Sequence, residues 1–289
     1  MMRYAFGGKA VLVVSVVLLA LVLGVVVGAR DVPIGEVIQA FAAFDSSNKS
    51  HLVIWEARIP RTLSALLIGA LVGVSGGLLQ GVTRNQLADP GIMGLNSSAS
   101  LLVLAAAALG ASSPIVLAAC AFTGAMFGAA ALAAMSLNRN LNPLQVAVAG
   151  IAIAAGLSSI SSFLLIGFPQ IADRYRHWAL GTLVGTGWTD IELLAPLALA
   201  VLGLAMLFAR VLNALALGAD QSRALGITIS RHTALIYLVA ALATGVATAF
   251  AGPLMFIGLL APHVARFLVG HDFRASLPLT AIIGGVLFL

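Results

Sequence analysis

Charge is what this chain has least of. Asp, Glu, Lys and Arg make up 9% of its 289 residues, against 61% hydrophobic residues. A soluble domain carries roughly a quarter charged residues, so the balance excludes an ordinary soluble globule and points to a polytopic membrane protein. Cysteine is nearly absent. Cys120 stands alone in an apolar run, which excludes an internal disulfide and a multi-cysteine metal site. No Asp or Glu lies in the interior of an apolar run expected to span a bilayer. Ion-coupled carriers usually hold an anionic or titratable ligand there, so this lack weighs against a carrier driven by an ion gradient. A Gly-rich phosphate loop ending in Lys-Ser or Lys-Thr is missing too, so the chain has no Walker-type site for ATP. The net charge of +5 is spread over connecting segments and reads as a topology signal, not a nucleic-acid surface. No metal site and no cofactor are expected.

What is present is apolar length. Runs at 10–29, 62–80, 95–109, 114–137, 144–168, 191–212, 232–250 and 253–269 predict membrane helices. The first is too long for a signal-peptide core and reads as a retained span. A ninth begins near Leu277 and is still apolar at Leu289, so the expectation is that the chain stops inside a span. The fold class is therefore all-α, with 1–289 forming one transmembrane domain. A cytoplasmic N-terminus puts Arg3, Lys9, Arg84, Arg139, Arg210, Arg223, Arg231, Arg266 and Arg274 inside. It leaves Arg30, Lys49, Arg58, Arg61, Arg174 and Arg176 outside, the smaller share.

One polar insertion, 212–231, interrupts the runs with Asn213, Asp220, Gln221, Arg223 and Arg231. Gly218 and Gly226 bracket a short helical segment in which Ala219, Arg223 and Ala224 share a face. A compact helix at a membrane surface suits docking of a soluble partner that pushes on it. Gly69, Gly73, Gly77 and Gly81 recur every fourth residue, a stripe that lets another helix approach backbone to backbone. Gly73-Val-Ser75-Gly-Gly77 also matches the nucleophile pattern of serine hydrolases. Such a serine needs a histidine base, and His232, at a span end, and His263, after Pro262, are poorly placed to supply it. Packing is the stronger reading.

The stretch Arg58-Ile-Pro-Arg61-Thr-Leu, then Gly69-Ala, Ser75-Gly, Gln80 and Arg84-Asn-Gln-Leu-Ala-Asp-Pro-Gly-Ile-Met-Gly94, closely resembles the FecCD family. These are the membrane permeases of binding-protein-dependent ABC importers for iron-siderophore complexes, haem and cobalamin. Further blocks agree in order: Ala149-Gly-Ile-Ala152, Trp178-Ala-Leu-Gly-Thr-Leu183, Leu217-Gly with Ala224-Leu-Gly226, and Phe256-Ile-Gly-Leu-Leu-Ala-Pro-His263-Val-Ala-Arg266. Two departures stand out. Gln86 follows Asn85 where the family usually has proline, and the family continues through the ninth span and a tenth.

The resemblance implies a helical bundle similar to the cobalamin importer's membrane subunit. It implies a second permease subunit, two ATP-binding subunits, and a substrate-binding protein outside the bacterial cytoplasmic membrane. Leu217, Gly218, Ala219, Asp220, Arg223, Ala224, Leu225 and Gly226 would then be the helix seated in the ATPase. Arg58 and Arg61 match the Arg-x-Pro-Arg block that receives carboxylates of the binding protein, although they also suit interfacial anchoring. Arg174, Tyr175, Arg176, His177 and Trp178, expected in an outer loop before the sixth span, would line the outer vestibule. Their guanidiniums and rings favour an anionic iron(III)-siderophore over haem or cobalamin. His263, in the family's Pro-His-x-x-Arg block, is expected to cap backbone exposed at Pro262.

Overall fold

Proline and glycine punctuate the apolar runs, and helices start and stop at them. The computed structural model describes residues 2–28, 31–138 and 141–289, without the side chains of 2–12, Gln170, Arg174 and His177. Arg30 and Arg139 therefore lie outside the described residues, as do the side chains of Arg3 and Lys9. Every regular element among the described residues is helical.

In chain order these are α1 (Met2–Val26), α2 (Ile34–Ala42), α3 (Lys49–Val53), a π-helical turn (Ile54–Arg58) and α4 (Ile59–Thr83). Then come α5 (Leu95–Ala108), α6 (Pro114–Leu137), α7 (Pro143–Gly167), α8 (Pro169–Ala179) and α9 (Trp188–Leu207). The last are α10 (Ala209–Ala216), α11 (Ala219–Ala224), α12 (Ile229–Ala251), α13 (Ile257–Val269) and α14 (Phe273–Phe288). Proline at the first turn of α6, α7 and α8 supplies a ready φ where no N–H is needed. At α7 a capping box adds to this, with Asn142 and Gln145 each accepting from the other's backbone. Among the described residues, five helical stretches are long and apolar enough to cross a membrane: Lys49–Thr83, Pro114–Leu137, Pro143–Gly167, Trp188–Ala216 and Ile229–Ala251.

α4 is the axis of the bundle. Every residue from Ile68 to Thr83 is buried, and α9, α12, α13 and α14 pack around it. The glycines explain how so many helices reach one. A β-carbon at Gly69 would overlap the carbonyl oxygen of Gly284, and one at Gly73 would lie 2.9 Å from the carbonyl oxygen of Thr280, both on α14. Gly77 lies under Leu277 of α14, and Gly81 under Phe273 of α14 and Leu212 of α10. On another side, Gly76 leaves room for the backbone of Gly258 in α13. Close approach replaces side-chain burial with backbone packing, the usual means of holding membrane helices together. Ser75 sits in this axis. Its hydroxyl donates to the carbonyl of Ala240 (2.8 Å) and lies 2.7 Å from the Thr244 hydroxyl, so it ties α4 to α12 with no histidine among these partners.

Three expectations need correction. The run at 253–269 is not one helix, because α13 starts only at Ile257. Gly252 turns with φ +74°, Pro253 has no N–H, and Phe256 is left-handed at φ +70°. The open backbone is satisfied by a side chain: Asn96 donates to the Leu254 carbonyl (2.7 Å) and accepts from the Thr248 hydroxyl (3.3 Å). The run at 191–212 lies within the membrane-length stretch Trp188–Ala216 as expected, but it is divided at Phe208, whose N–H bonds back to Ala205, so Arg210 and Asn213 fall on the short helix α10. The segment carrying Arg174 to Trp178 is the helix α8, started by Pro169, and not a loop.

Candidate functional site

The polar insertion at 212–231 is built from two short helices and two left-handed glycines. α10 ends at Ala216, Gly218 takes φ +116°, α11 spans six residues, and Gly226 takes φ +78° before α12. A β-carbon makes either conformation costly, so glycine lets the chain turn sharply at both ends of α11. Leu217 and Leu225 are 61% and 62% exposed, and Ala219, Asp220, Arg223 and Ala224 are exposed with them. Two large apolar side chains thus stand exposed beside a short polar helix.

This segment is tied to the bundle by residues to which the sequence reading gave no role. Ser222 is fully buried, and its hydroxyl lies within bonding distance of the carbonyls of Ala214 (2.8 Å) and Gly218 (2.5 Å), pinning α11 to α10. Arg84, left-handed at φ +53°, donates from its guanidinium to the carbonyl of Leu215 and so joins the end of α4 to the end of α10. Asn213 donates to Asp272 (2.6 Å) and accepts from the N–H of Phe273 (2.9 Å), joining α10 to the start of α14. The Arg274 N–H and then the Asn213 amide hold the Asp272 carboxyl below its usual range.

A second constellation lies where α13 meets α4. Pro262 cannot donate to the carbonyl of Gly258 four residues earlier. Gln80 of α4 takes that carbonyl instead (3.2 Å), and Arg266 of α13 holds the other end of the Gln80 amide (2.6 Å). Gln80, Pro262 and Arg266 thus form one device for carrying an interrupted helix against the axis. His263 is exposed, and no bond to the backbone opened by Pro262 is found for it, contrary to the capping expected.

Beside this device the α4–α5 connection buries Asp89. It is 2% exposed, Oδ1 accepts from the Gly91 N–H (2.8 Å), and Oδ2 has no hydrogen-bond partner. Burial raises the Asp89 carboxyl above its usual range.

At the opposite end, Arg58 and Arg61 part company. Arg58 is buried, and Nη1 donates to the carbonyls of Val25 (2.8 Å) and Val26 (2.6 Å), closing the C-terminus of α1. Arg61 is exposed and borders a cavity of about 690 Å³. On α8, Tyr175 and Trp178 meet at a 49° tilt with ring centroids 5.7 Å apart and pack against α5 and α6, half-buried. Arg176 is exposed and pairs with Asp173 (3.4 Å). The side chains of Arg174 and His177 lie outside the described residues. No cluster of three or more metal-binding side chains is found among the described residues.

Comparison with known proteins agrees along the chain. The FecCD transport family model matches residues 16–289. The ferric enterobactin transport system permease protein FepD of Escherichia coli is 38% identical over 275 residues, 94% of this chain and 82% of that protein. The iron(3+)-hydroxamate import system permease protein FhuB of Bacillus subtilis is 35% identical over 289 residues, 98% and 75% of the two chains. The cobalamin import system permease protein BtuC of Halobacterium salinarum is 32% identical over 250 residues, 85% and 68%. The fold is shared with a solved metal-chelate type ABC transporter in an inward-facing conformation, at TM-score 0.82 and 22% identity, covering all of this chain and 88% of that one.

Proposed function

The chain belongs to the FecCD transport family, and from that premise we propose that it is the membrane permease subunit of an ATP-driven ABC importer that takes up an iron(III)-siderophore. The observation that carries this is the coupling segment. It offers Leu217 and Leu225 outward and is hydrogen-bonded inward to several helices at once. An ATP-binding subunit seated on α11 displaces α10 through Ser222. The same displacement reaches α4 through Arg84 and α14 through Asn213. Two such ATPases, a second permease subunit and a soluble binding protein complete the assembly, with the N-terminus of this chain in the cytoplasm. No covalent chemistry falls to the permease, only two packings whose balance the partners shift.

Arg61 is the residue of the Arg-x-Pro-Arg block free to meet a carboxylate of the binding protein, while Arg58 holds the helix beside it. Arg176 and the half-buried Tyr175 and Trp178 place cationic and aromatic character at the same end. That suits an anionic ferric complex with planar groups. Relatives named for ferric enterobactin and iron(3+)-hydroxamate support this cargo, and the cobalamin relative keeps haem or cobalamin as the second reading. An uptake panel in reconstituted vesicles, with ferric siderophores, haem and cobalamin offered separately, tests it. Uptake of a ferric siderophore is expected, and uptake of haem or cobalamin alone would overturn the cargo assignment.

A further inference from the structure

Beside the coupling helix lies a cavity of about 660 Å³ to which the transport reading gives no role. Its walls are Asn138 at the end of α6, Leu141 and Asn142 before α7, the end of α11 with Gly226, and the first turn of α12. Arg223 lines it, and among the described residues no carboxylate does. The neighbouring Asp220 lies 3.2 Å from the Arg223 guanidinium. Both side chains are largely exposed, so the pair is weak and most guanidinium N–H groups are left for another acceptor.

α12 begins at this cavity without a cap. Thr228, at its N-cap, makes no side-chain bond to the helix, and Thr228, Ile229 and Ser230 all line the space. The opening amides of a helix have no partner within it, and they carry the positive end of its dipole. One turn further on, Thr233 gives an independent sign of a ligand. It lines the same cavity, is 3% exposed, and its hydroxyl has no hydrogen-bond partner. Uncapped amides, a guanidinium and an unpaired hydroxyl are all donors, and what they lack is an acceptor with several oxygens.

We propose that this cavity binds a phosphate-type anion, held by Arg223, the first-turn amides of α12 and the hydroxyls of Ser230 and Thr233, and that its occupancy locks α11 against α12. The anion is either the phosphodiester of an anionic lipid, reached at the polar end of a span, or free phosphate. Either source sets how stiffly the coupling helix passes a push to the bundle.

The test is binding to the purified full chain in detergent, with dioctanoyl phosphatidylglycerol and inorganic phosphate as separate probes. Thr233→Val and Arg223→Gln should each weaken binding about fivefold or more, as loss of a hydrogen bond to a charged group does. Arg210→Gln, which removes a cation outside the cavity, should not. Thr233→Val should keep the ligand-free melting temperature, because its hydroxyl is unpaired when the site is empty, so lost binding would not reflect misfolding. Binding of the lipid alone identifies a headgroup site, and competition by phosphate identifies a free-anion site. Both outcomes support the proposal. Failure of both probes to bind, or equal binding by all variants, overturns it. If neither probe binds and Thr233→Cys cross-links to the ATPase in the assembled transporter, the cavity is a protein contact and the anion reading is wrong. The assay uses neither ATP nor siderophore, so its failure is separate from failure of the transport reading.

Discussion

Replacing Gln80 by leucine should cost the chain about 2–4 kcal/mol, although leucine matches the space and suits an apolar helix. The magnitude follows from two contacts. The Gln80 amide receives the Arg266 guanidinium and donates to the Gly258 carbonyl, which Pro262 has left without an intrahelical donor. An interhelical hydrogen bond in a membrane protein contributes about 0.6–2 kcal/mol. A buried carbonyl left without any donor costs about 1–3 kcal/mol. The explanation makes a sharper demand in the double variant. Pro262→Ala restores an N–H that can reach the Gly258 carbonyl, so it should help the Gln80→Leu chain by about 1 kcal/mol more than it helps the parent. Reversible unfolding in mixed micelles, followed by helical circular dichroism, measures all four corners of the cycle. A cost below about 1 kcal/mol for Gln80→Leu, or the same effect of Pro262→Ala in both backgrounds, would refute the reasoning.

Gly69→Leu should prevent stable folding by driving α4 off the Gly284 backbone. Gly35→Ala, where nothing lies within 4 Å, should be neutral, and similar thermal melts for the two would contradict the packing account. Burial raises the Asp89 carboxyl, so the folded chain holds that proton more tightly than the unfolded one. Its contribution is full below the unfolded value near 3.8 and is lost as pH rises through the folded value. Asp89→Asn, which keeps the acceptor for the Gly91 N–H, should therefore gain melting temperature over the parent as pH goes from about 4 to about 7.5, and a constant difference would count against it. Gly226→Val and Ala224→Trp should leave membrane insertion intact while separating ATP hydrolysis from uptake. Ser222→Ala should do so partially, by freeing α11 from α10, and normal uptake in all of these would remove the coupling role.

The helical class and the family were legible because both rest on local signals: apolar length, proline and glycine breaks, and ordered residue blocks. The glycine spacing at 69–81 is local too, but nothing local names α14 as the helix that runs along it. Gln80 and Arg266 carry no sign of their role in the sequence, since their connection depends on a carbonyl freed by Pro262 and visible only once two helices touch. Ser222 was hidden for a similar reason, as a small polar residue in an exposed insertion gives no sign that its hydroxyl points inward. Arg58 and Arg61 look equivalent as a pattern, yet three residues along a helix separate a buried cap of α1 from an exposed cation. The aromatic cluster at 175–178 looks like a loop in the sequence because its run is short and polar. Pro169 starts a helix there, and the rings find an apolar floor on α5 and α6.

The central claim is that this chain moves cargo only when an ATPase pushes on α11. The direct measurement is uptake of labelled ferric siderophore into vesicles holding the permease with its ATP-binding subunits, the binding protein added outside and ATP enclosed. The account predicts uptake that requires ATP, stops with vanadate, and is lost when Gly226→Val replaces the parent chain. Uptake that proceeds without the ATPase, driven by a proton or sodium gradient, would contradict it.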